Sequence, residues 1–486
     1  MQTSLVATPG GPTPEALQRQ LLCGIAALTA ALLVLPLSWI AYGSFALALL
    51  LLAIYVAAST LEGKAETFLL AWILISPLGY YYLSYPQDKP YLSFDRAVVP
   101  LLVVAMCFAL PSDTTPIPRV LRRLGLVWAA FLLSAGLSLL KISGSSGLLS
   151  GARVWLDAFL RPALLAWYVI RCFPVGRYLR ALHALVCLTA LYLAPMGVVE
   201  FVSGKDILPL PSAGLYFAGS GESLFLRANG PYSSSNSYSL IGLMMFCLLL
   251  FLRQALGRDA LPWWQRMLHV LGVTSALIVS ALSVHRSIFI TLLVMFLLQA
   301  WFAPSVRQRL AYTSILLVIV GVVLAGSALA PELYEERISS GVNLYARLAQ
   351  QRQTLEVFQR NPLLGAGLNN FISSAPQATP YTGFYSGVEP LDAPHNNLGA
   401  ILAETGILGF IPYVLANGML VAVFWQFCSR GLRDSKLVWT FFVYVFLSYW
   451  ISGLDVTSGH YGDLNLWYLL TLAVLYKYAI TQPEAA

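Results

Sequence analysis

Apolar residues in this chain come in long blocks separated by short polar breaks. About fourteen blocks reach or approach the roughly 17–25 residues that a helix needs to cross a bilayer. They begin near Leu21, Tyr42, Thr67, Ala97, Leu124, Leu156, Leu179, Ser233, Met267, Ser287, Leu310, Asn396, Leu437 and Leu464. The longest polar interruption runs from Pro331 to Ala393, and the chain returns to apolar sequence through Pro394-His395-Asn396-Asn397-Leu398. Inside that interruption Leu344, Leu348, Leu355 and Phe358 recur near helical spacing, which predicts an amphipathic helix of about four turns. Asn361-Pro362 closes it, and Leu364-Gly365-Ala366-Gly367-Leu368 follows as a tight, backbone-exposed turn. Pro376 to Asp392, rich in Pro, Gly, Tyr and Thr, reads as an irregular lid or binding loop.

Composition agrees with a membrane solvent. Of 486 residues, 58% are hydrophobic and only 10% charged, with a mean hydropathy of +0.72. A soluble domain carries about 25% charged residues. The net charge of +7 raises nucleic acid as a partner, but the positions of the positives argue against it. With the N-terminus in the cytoplasm, Arg119/Arg122/Arg123, Arg171/Arg177/Arg180, Arg253/Arg258/Arg266, Arg307/Arg309 and Arg430/Arg433/Lys436 all fall in short inward loops, as the positive-inside rule requires. The long loops, Ser203–Tyr232, Pro331–Ala393 and Asp455–Asp463, then face outward, and both termini are cytoplasmic. Met1–Gln20 reads as a polar tail with no cleavable signal. The six cysteines (Cys23, Cys107, Cys172, Cys187, Cys247 and Cys428) lie in or beside apolar segments, which argues against a disulfide framework and against a Cys-based metal site.

Several polar residues stand out against this background. Arg161, inside an apolar run, is most simply a structural partner of Asp157 one turn earlier. Arg352, Glu356 and Arg360 form i,i+4 pairs on a solvated face, whereas Arg347 has only Gln351 at that spacing. Gly365-Ala366-Gly367 lacks the third glycine and preceding strand of a dinucleotide fingerprint. His395, one of five histidines, has the side chain whose ordinary pKa lies nearest neutrality. On residue type alone it is either a proton-transfer group or a helix-start hydrogen-bonding group. Asn396 and Asn397 read as helix-start residues. Glu404 either pairs with an arginine or sits at an interface, and His460 and Asp463 read as solvated.

Arg347, Pro362, Leu-Leu-Gly-Ala-Gly-Leu-Asn-Asn-Phe, His395-Asn396-Asn397-Leu398 and Glu404-Thr405-Gly406 together resemble the signature domain of the bacterial O-antigen ligase and polymerase family, over about Arg347 to Gly409. Arg227-Ala-Asn-Gly-Pro-Tyr with Asn236 resembles a second motif of that family, with Ser235 where proline is usual. Ser283-Val-His-Arg286 resembles a third, with Val284-His285 separating a usually adjacent pair. The resemblance implies an all-α polytopic membrane protein of about 12–14 transmembrane helices in the bacterial inner membrane, with a large periplasmic loop containing amphipathic helices. Its expected organisation is a cytoplasmic tail (1–20), a transmembrane bundle (21–330), the periplasmic loop (331–394), C-terminal transmembrane helices (395–480) and a cytoplasmic tail (481–486).

It also implies glycan transfer from an undecaprenyl-diphosphate-linked donor to an acceptor hydroxyl on a lipid A core, a growing glycan or a protein, with no metal and no cofactor. Arginine suits the diphosphate because its planar fork stays charged and can stabilise the leaving oxygen. The expected roles are His395 as general base, Arg347, Arg286 and Arg227 as diphosphate ligands, and Asn396, Asn397 and Glu404 as supporting residues. Direct displacement predicts inversion. Ligase and polymerase remain alternatives within the family, and a transporter or flippase of lipid-linked glycans is the rival from another class. No duplicated halves of the kind common in transporters are visible. The lid aromatics Tyr381, Phe384 and Tyr385 suit sugar stacking.

Overall fold

Among the described residues the apolar blocks fold as helices, most of which start within a few residues of the positions read from the sequence. The computed structural model describes residues 65–79, 118–204, 225–232, 234–257, 261–283, 285–302, 341–375, 394–429 and 434–481, with short pieces between 84 and 102, at 217–218 and between 305 and 321. In chain order the helices are α1 (Ala65–Gly79), α2 (Arg119–Ser138), α3 (Ser145–Val154), α4 (Arg161–Cys172), α5 (Val175–Ser203), α6 (Ser235–Leu256), α7 (Trp263–Ala281), α8 (Arg286–Phe302), α9 (Gly341–Arg360), α10 (Phe371–Ser374), α11 (Asn397–Ser429), α12 (Ser435–Gly453) and α13 (Gly462–Thr481). Two ladders of two-residue strands, Ser84–Tyr85 with Leu92–Ser93 and Phe217–Ala218 with Phe225–Leu226, are the sheet content of the described residues. The chain is thus an all-α membrane protein. Among the described residues five helices are long and apolar enough to cross a membrane: Arg119–Lys141, Val175–Ser203, Ser235–Leu256, Asn397–Ser429 and Ser435–Gly453. The expected spans near Leu21 and Tyr42 and the lid at Pro376–Asp392 lie outside the described residues, as does most of the spans near Ala97 and Leu310.

The segment expected to begin near Leu156 starts earlier, at Ser145. α3 and α4 are one helical run joined by a π-helical stretch, Trp155–Leu160. Pro162, at the start of α4, has no N–H to offer the carbonyl four residues back. That carbonyl, on Ala158, instead accepts from Asn465 Nδ2 at 2.8 Å. Asp157 lies in the same π stretch. It pairs with Arg161, as expected, at 4.0 Å, and also takes Arg96 Nε at 2.9 Å.

The expected single span from Asn396 is two helices in series. At Gly406 the backbone turns to φ 63°, ψ −168°, so α11 breaks after Thr405. The break removes the i→i−4 bonds of Ile407 and Leu408. The turn after α9 replaces them: Ile407 N donates to Pro362 O at 2.9 Å and Leu408 N to Leu363 O at 3.2 Å. The carbonyls thereby freed, on Ala403 and Glu404, accept from Ala366 N at 2.9 Å and Gly367 N at 3.0 Å. The turn is therefore spliced into the helix through four main-chain bonds. A backbone this close leaves no room for side chains. A Cβ on Gly365 would overlap the Glu404 carbonyl, and one on Gly406 would overlap that of Leu363.

Substituting alanine at Gly406 should accordingly cost well over about 1 kcal/mol, since both the left-handed φ and the overlap oppose it. Gly418→Ala, further along α11 where an added Cβ meets nothing within 4 Å, should leave stability unchanged or slightly raised. Thermal unfolding of the two detergent-solubilised variants compares them directly. Equal melting temperatures would contradict the splice.

Candidate active site

The described part of the long polar segment is held to the bundle by α9 and the turn that follows it. α9 closes at Arg360, before Asn361-Pro362, as its sequence predicts, and the buried face of its described side chains is largely polar. Gln350, Thr354 and Val357 are buried, while Leu355 is 53% exposed. The reason is the partner: the face of α11 near Gly399 has room for small polar groups. Thr354 Cγ2 lies 3.1 Å, and Gln351 Oε1 3.5 Å, from where a Cβ on Gly399 would be. Gln351 Nε2 also donates to Pro394 O at 3.5 Å. Gln351 thus meets Pro394 and Thr354 meets Gly399, so α9 and the start of α11 run in the same direction. Arg347 occupies α9 one turn before Gln351, toward the Pro394–His395 end. On the opposite side of α9, Arg352 is 70% exposed and reaches Glu356 at 3.5 Å, as a solvated pair should.

His395 is half-buried and takes a left-handed φ of 48°. Few side chains adopt that conformation without strain, and histidine is among those enriched in it. It is fixed from both sides. Gln351 holds Pro394, and Asn396 caps α11 by accepting from Gly399 N at 3.1 Å through Oδ1. Asn397 is buried and turns to the last outward loop, where its Oδ1 accepts from Gly459 N at 2.7 Å. Asn465 holds the same loop by donating to Gly459 O at 2.7 Å, and its Oδ1 accepts from Tyr449 Oη at 2.9 Å. Asn396 and Asn397 are thus helix-start residues, as expected, and Asn397 is also an inter-loop clamp.

Glu404 is buried, and its partner is a histidine rather than an arginine. Its Oε2 lies 3.0 Å from His460 Nε2 and accepts from Asn369 N at 2.9 Å. The His460 contact is poorly aligned for a hydrogen bond, so it counts mainly as a charge contact when the imidazole is protonated. His460, expected to be solvated, has a side chain only 13% exposed, and Asp463 is likewise buried. The loop carrying them is held by Asn465 just after it and by Asn397 and Glu404, both distant in sequence.

The turn itself is not backbone-exposed. Five successive amides are consumed: Gly365 N by Asn361 O, Ala366 N by Ala403 O, Gly367 N by Glu404 O, Leu368 N by Ser138 Oγ and Asn369 N by Glu404 Oε2. A backbone cradle for phosphate is therefore excluded here, and Gly-Ala-Gly is an anchor.

Arg227 and Arg286 belong to a second assembly. Arg227 is half-buried, directly after the strand Phe225–Leu226, and Arg286 is exposed as the first residue of α8. Their segments meet where Ala228 N donates to Leu282 O at 3.4 Å. The Ala228–Tyr232 loop is held from below by Glu200, fully buried near the end of α5, whose Oε2 accepts from Asn229 N at 3.0 Å and Gly230 N at 2.8 Å. Glu200 was missed in the sequence reading, although a lone acid in an apolar run is a signal that could have found it.

These elements define a helical membrane protein whose inter-helix loops are tied into broken or capped helix ends. Residues 270–414 match the family model described as O-antigen ligase. That stretch of the chain is similar to the O-antigen ligase domain, and the match supports glycan transfer of O-antigen ligase or polymerase type as the class of activity. It contains Ser283-Val-His-Arg286, Arg347, the spliced turn, His395 and Glu404; Arg227 lies outside it. No curated protein matches the chain.

Removing the Glu404 carboxylate should strand Asn369 N–H in a buried site, costing about 1–3 kcal/mol. Glu404→Ala should therefore lower the melting temperature and open the Asn361–Asn370 turn to proteolysis more than Glu404→Gln, which keeps an acceptor. If the two variants behave alike, the carboxylate does not anchor the turn.

Proposed function

We propose that this protein transfers a glycan from an undecaprenyl-diphosphate carrier to an acceptor hydroxyl at the periplasmic face of the inner membrane, without a metal. The observation that carries this reading is the placement of His395. It is held in a left-handed conformation at the start of α11 by Pro394 and Asn396, beside the end of α9 in which Arg347 lies. In this reading the outward loops are periplasmic, 331–394 is the loop domain over the bundle, and 395–480 forms its C-terminal helices.

The imidazole of His395 takes the acceptor hydroxyl proton as the oxygen attacks the anomeric carbon, and the lipid diphosphate leaves from the opposite side. Arg347, Arg286 and Arg227 hold the diphosphate and neutralise the charge that grows on its leaving oxygen. Asn396 and Asn397 keep His395 in place, and Glu404 holds the turn that supports it. The reaction is a single displacement and inverts the anomeric centre.

The test is a purified system with a defined lipid-linked glycan and a core-lipid or glycan acceptor. Wild-type protein should form product of inverted configuration. His395→Ala should lose about a hundred- to ten-thousand-fold in rate, with the folded state unchanged by gel filtration. Arg347→Ala should reduce donor use, and Arg347→Lys should restore it only partly, because lysine lacks the fork. Retention of configuration, or undiminished transfer by His395→Ala, would overturn the assignment. Carrier flipping without bond formation would favour the transporter. Extension of a repeat-unit acceptor would identify a polymerase, and capping of a core lipid a ligase.

A further inference from the structure

At the other end of α5 and α7 lies a cluster that the transfer reaction does not use. His183 and Cys187 are one turn apart on α5, both fully buried. His269 projects from α7 and is half-buried. His183 Nε2 and His269 Nδ1 are 3.0 Å apart, and Cys187 Sγ lies 3.9 Å from His183 Nε2. The three donor atoms all fall within 4.8 Å of one another. The geometry points to a binding site for one zinc-class divalent ion, held by His183 Nε2, His269 Nδ1 and Cys187 Sγ between α5 and α7.

The distances support three ligands of one tetrahedral ion. Zinc bonds of about 2.0–2.1 Å to nitrogen and about 2.3 Å to sulfur place two nitrogens about 3.3 Å apart and a nitrogen and sulfur about 3.6 Å apart. Two of the observed separations differ from these by a few tenths of an ångström, one short and one long, and the third, between Cys187 Sγ and His269 Nδ1, is within 4.8 Å. Small torsions of unclamped side chains cover that difference. Imidazole and thiolate are the donors that a borderline-soft ion selects, and they do not suit magnesium or calcium. The fourth position is left for water.

The helix packing makes room for the cluster. Gly272, one turn after His269, faces Cys187, and a Cβ there would come within 2.8 Å of the sulfur. Glycine at that position lets α7 approach α5 closely enough for His269 to reach His183. The same parallel register continues to the far end, where Leu282 packs at Gly197. In the metal-free protein the two imidazoles share one hydrogen bond, with one ring nitrogen donating and the other accepting. On binding, that proton remains on the imidazole at its other ring nitrogen and the Cys187 thiol proton is released to solvent, so the ion replaces one hydrogen bond with three coordinate bonds.

The sequence argued against a Cys-based metal site because the cysteines lie in or beside apolar segments. The missing ligands are histidines, one supplied by a different helix. The cluster lies about two to three turns from the beginnings of α5 and α7, at the end of the bundle that carries Arg177, Arg180, Arg253 and Arg266. At about 1.5 Å per residue, some 25 Å of α5 separates His183 from Glu200. An ion here would clamp two helices and would not act on substrate.

The experiment uses the full chain, purified in detergent with a tag free of histidine, and Co²⁺ as a spectroscopic probe. Wild-type protein should take up one Co²⁺ per chain, with a near-ultraviolet thiolate charge-transfer band and the visible bands of a tetrahedral ion. Cys187→Ser should lose the thiolate band, and His269→Gln should weaken binding at least tenfold. Zn²⁺ should displace the Co²⁺ and raise the melting temperature of wild type, whereas Mg²⁺ should not. The wild-type measurements stand even if a variant folds poorly. Absence of Co²⁺ uptake by folded wild type, or an unchanged thiolate band in Cys187→Ser, would overturn the site.

Discussion

A helix that breaks within a membrane exposes amide and carbonyl groups that lipid cannot satisfy, and each one costs several kcal/mol. The break at Gly406 is tolerated because the turn after α9 supplies a partner for each of the four freed groups through Pro362, Leu363, Ala366 and Gly367. Much of the candidate site hangs from that exchange. The turn fixes the end of α9, and α9 lies along the start of α11 through Gln351 and Thr354. Between these two helices the chain passes through Pro394 and His395. Glu404, next to the break, joins the turn to the loop carrying His460.

The same principle recurs elsewhere in the chain. Pro162 frees the Ala158 carbonyl, and Asn465 takes it while also holding Gly459. Glu200 takes the two amides of Asn229 and Gly230, and thereby shapes the loop that follows Arg227. In each case a local departure from regular helix creates an unpaired backbone group, and a distant polar side chain or turn answers it. The candidate chemical residues lie beside these repairs, where backbone geometry is fixed by several bonds at once.

This pattern explains which features the sequence disclosed. Helix ends could be read because the apolar runs are long and their breaks carry Arg, Pro and Gly. The Arg352–Glu356 pair, the close of α9 and the capping by Asn396 are local, and their signals lie within a turn of the residues concerned. The break at Gly406 is invisible locally. A single glycine after Glu404-Thr405 in an apolar run is tolerated in a straight helix, and what bends the chain there lies some forty residues upstream. The buried face of α9 has a related cause. Leucine periodicity finds the apolar face, but glycine and alanine on α11 select the polar one. His460 looked solvated because its loop is polar, and only the three-dimensional clamp by Asn397, Asn465 and Glu404 buries it.

The splice at Gly406 also bears on how the protein is made. The turn at Pro362–Gly367 is synthesised before the helix that receives it. A straight helix through Gly406 needs no help, since it would keep its own two bonds to Ala403 and Glu404. The segment can therefore enter the bilayer as an ordinary continuous span and exchange those two bonds for four once the waiting turn meets it. The turn and the membrane helix then complete their main-chain pairing together.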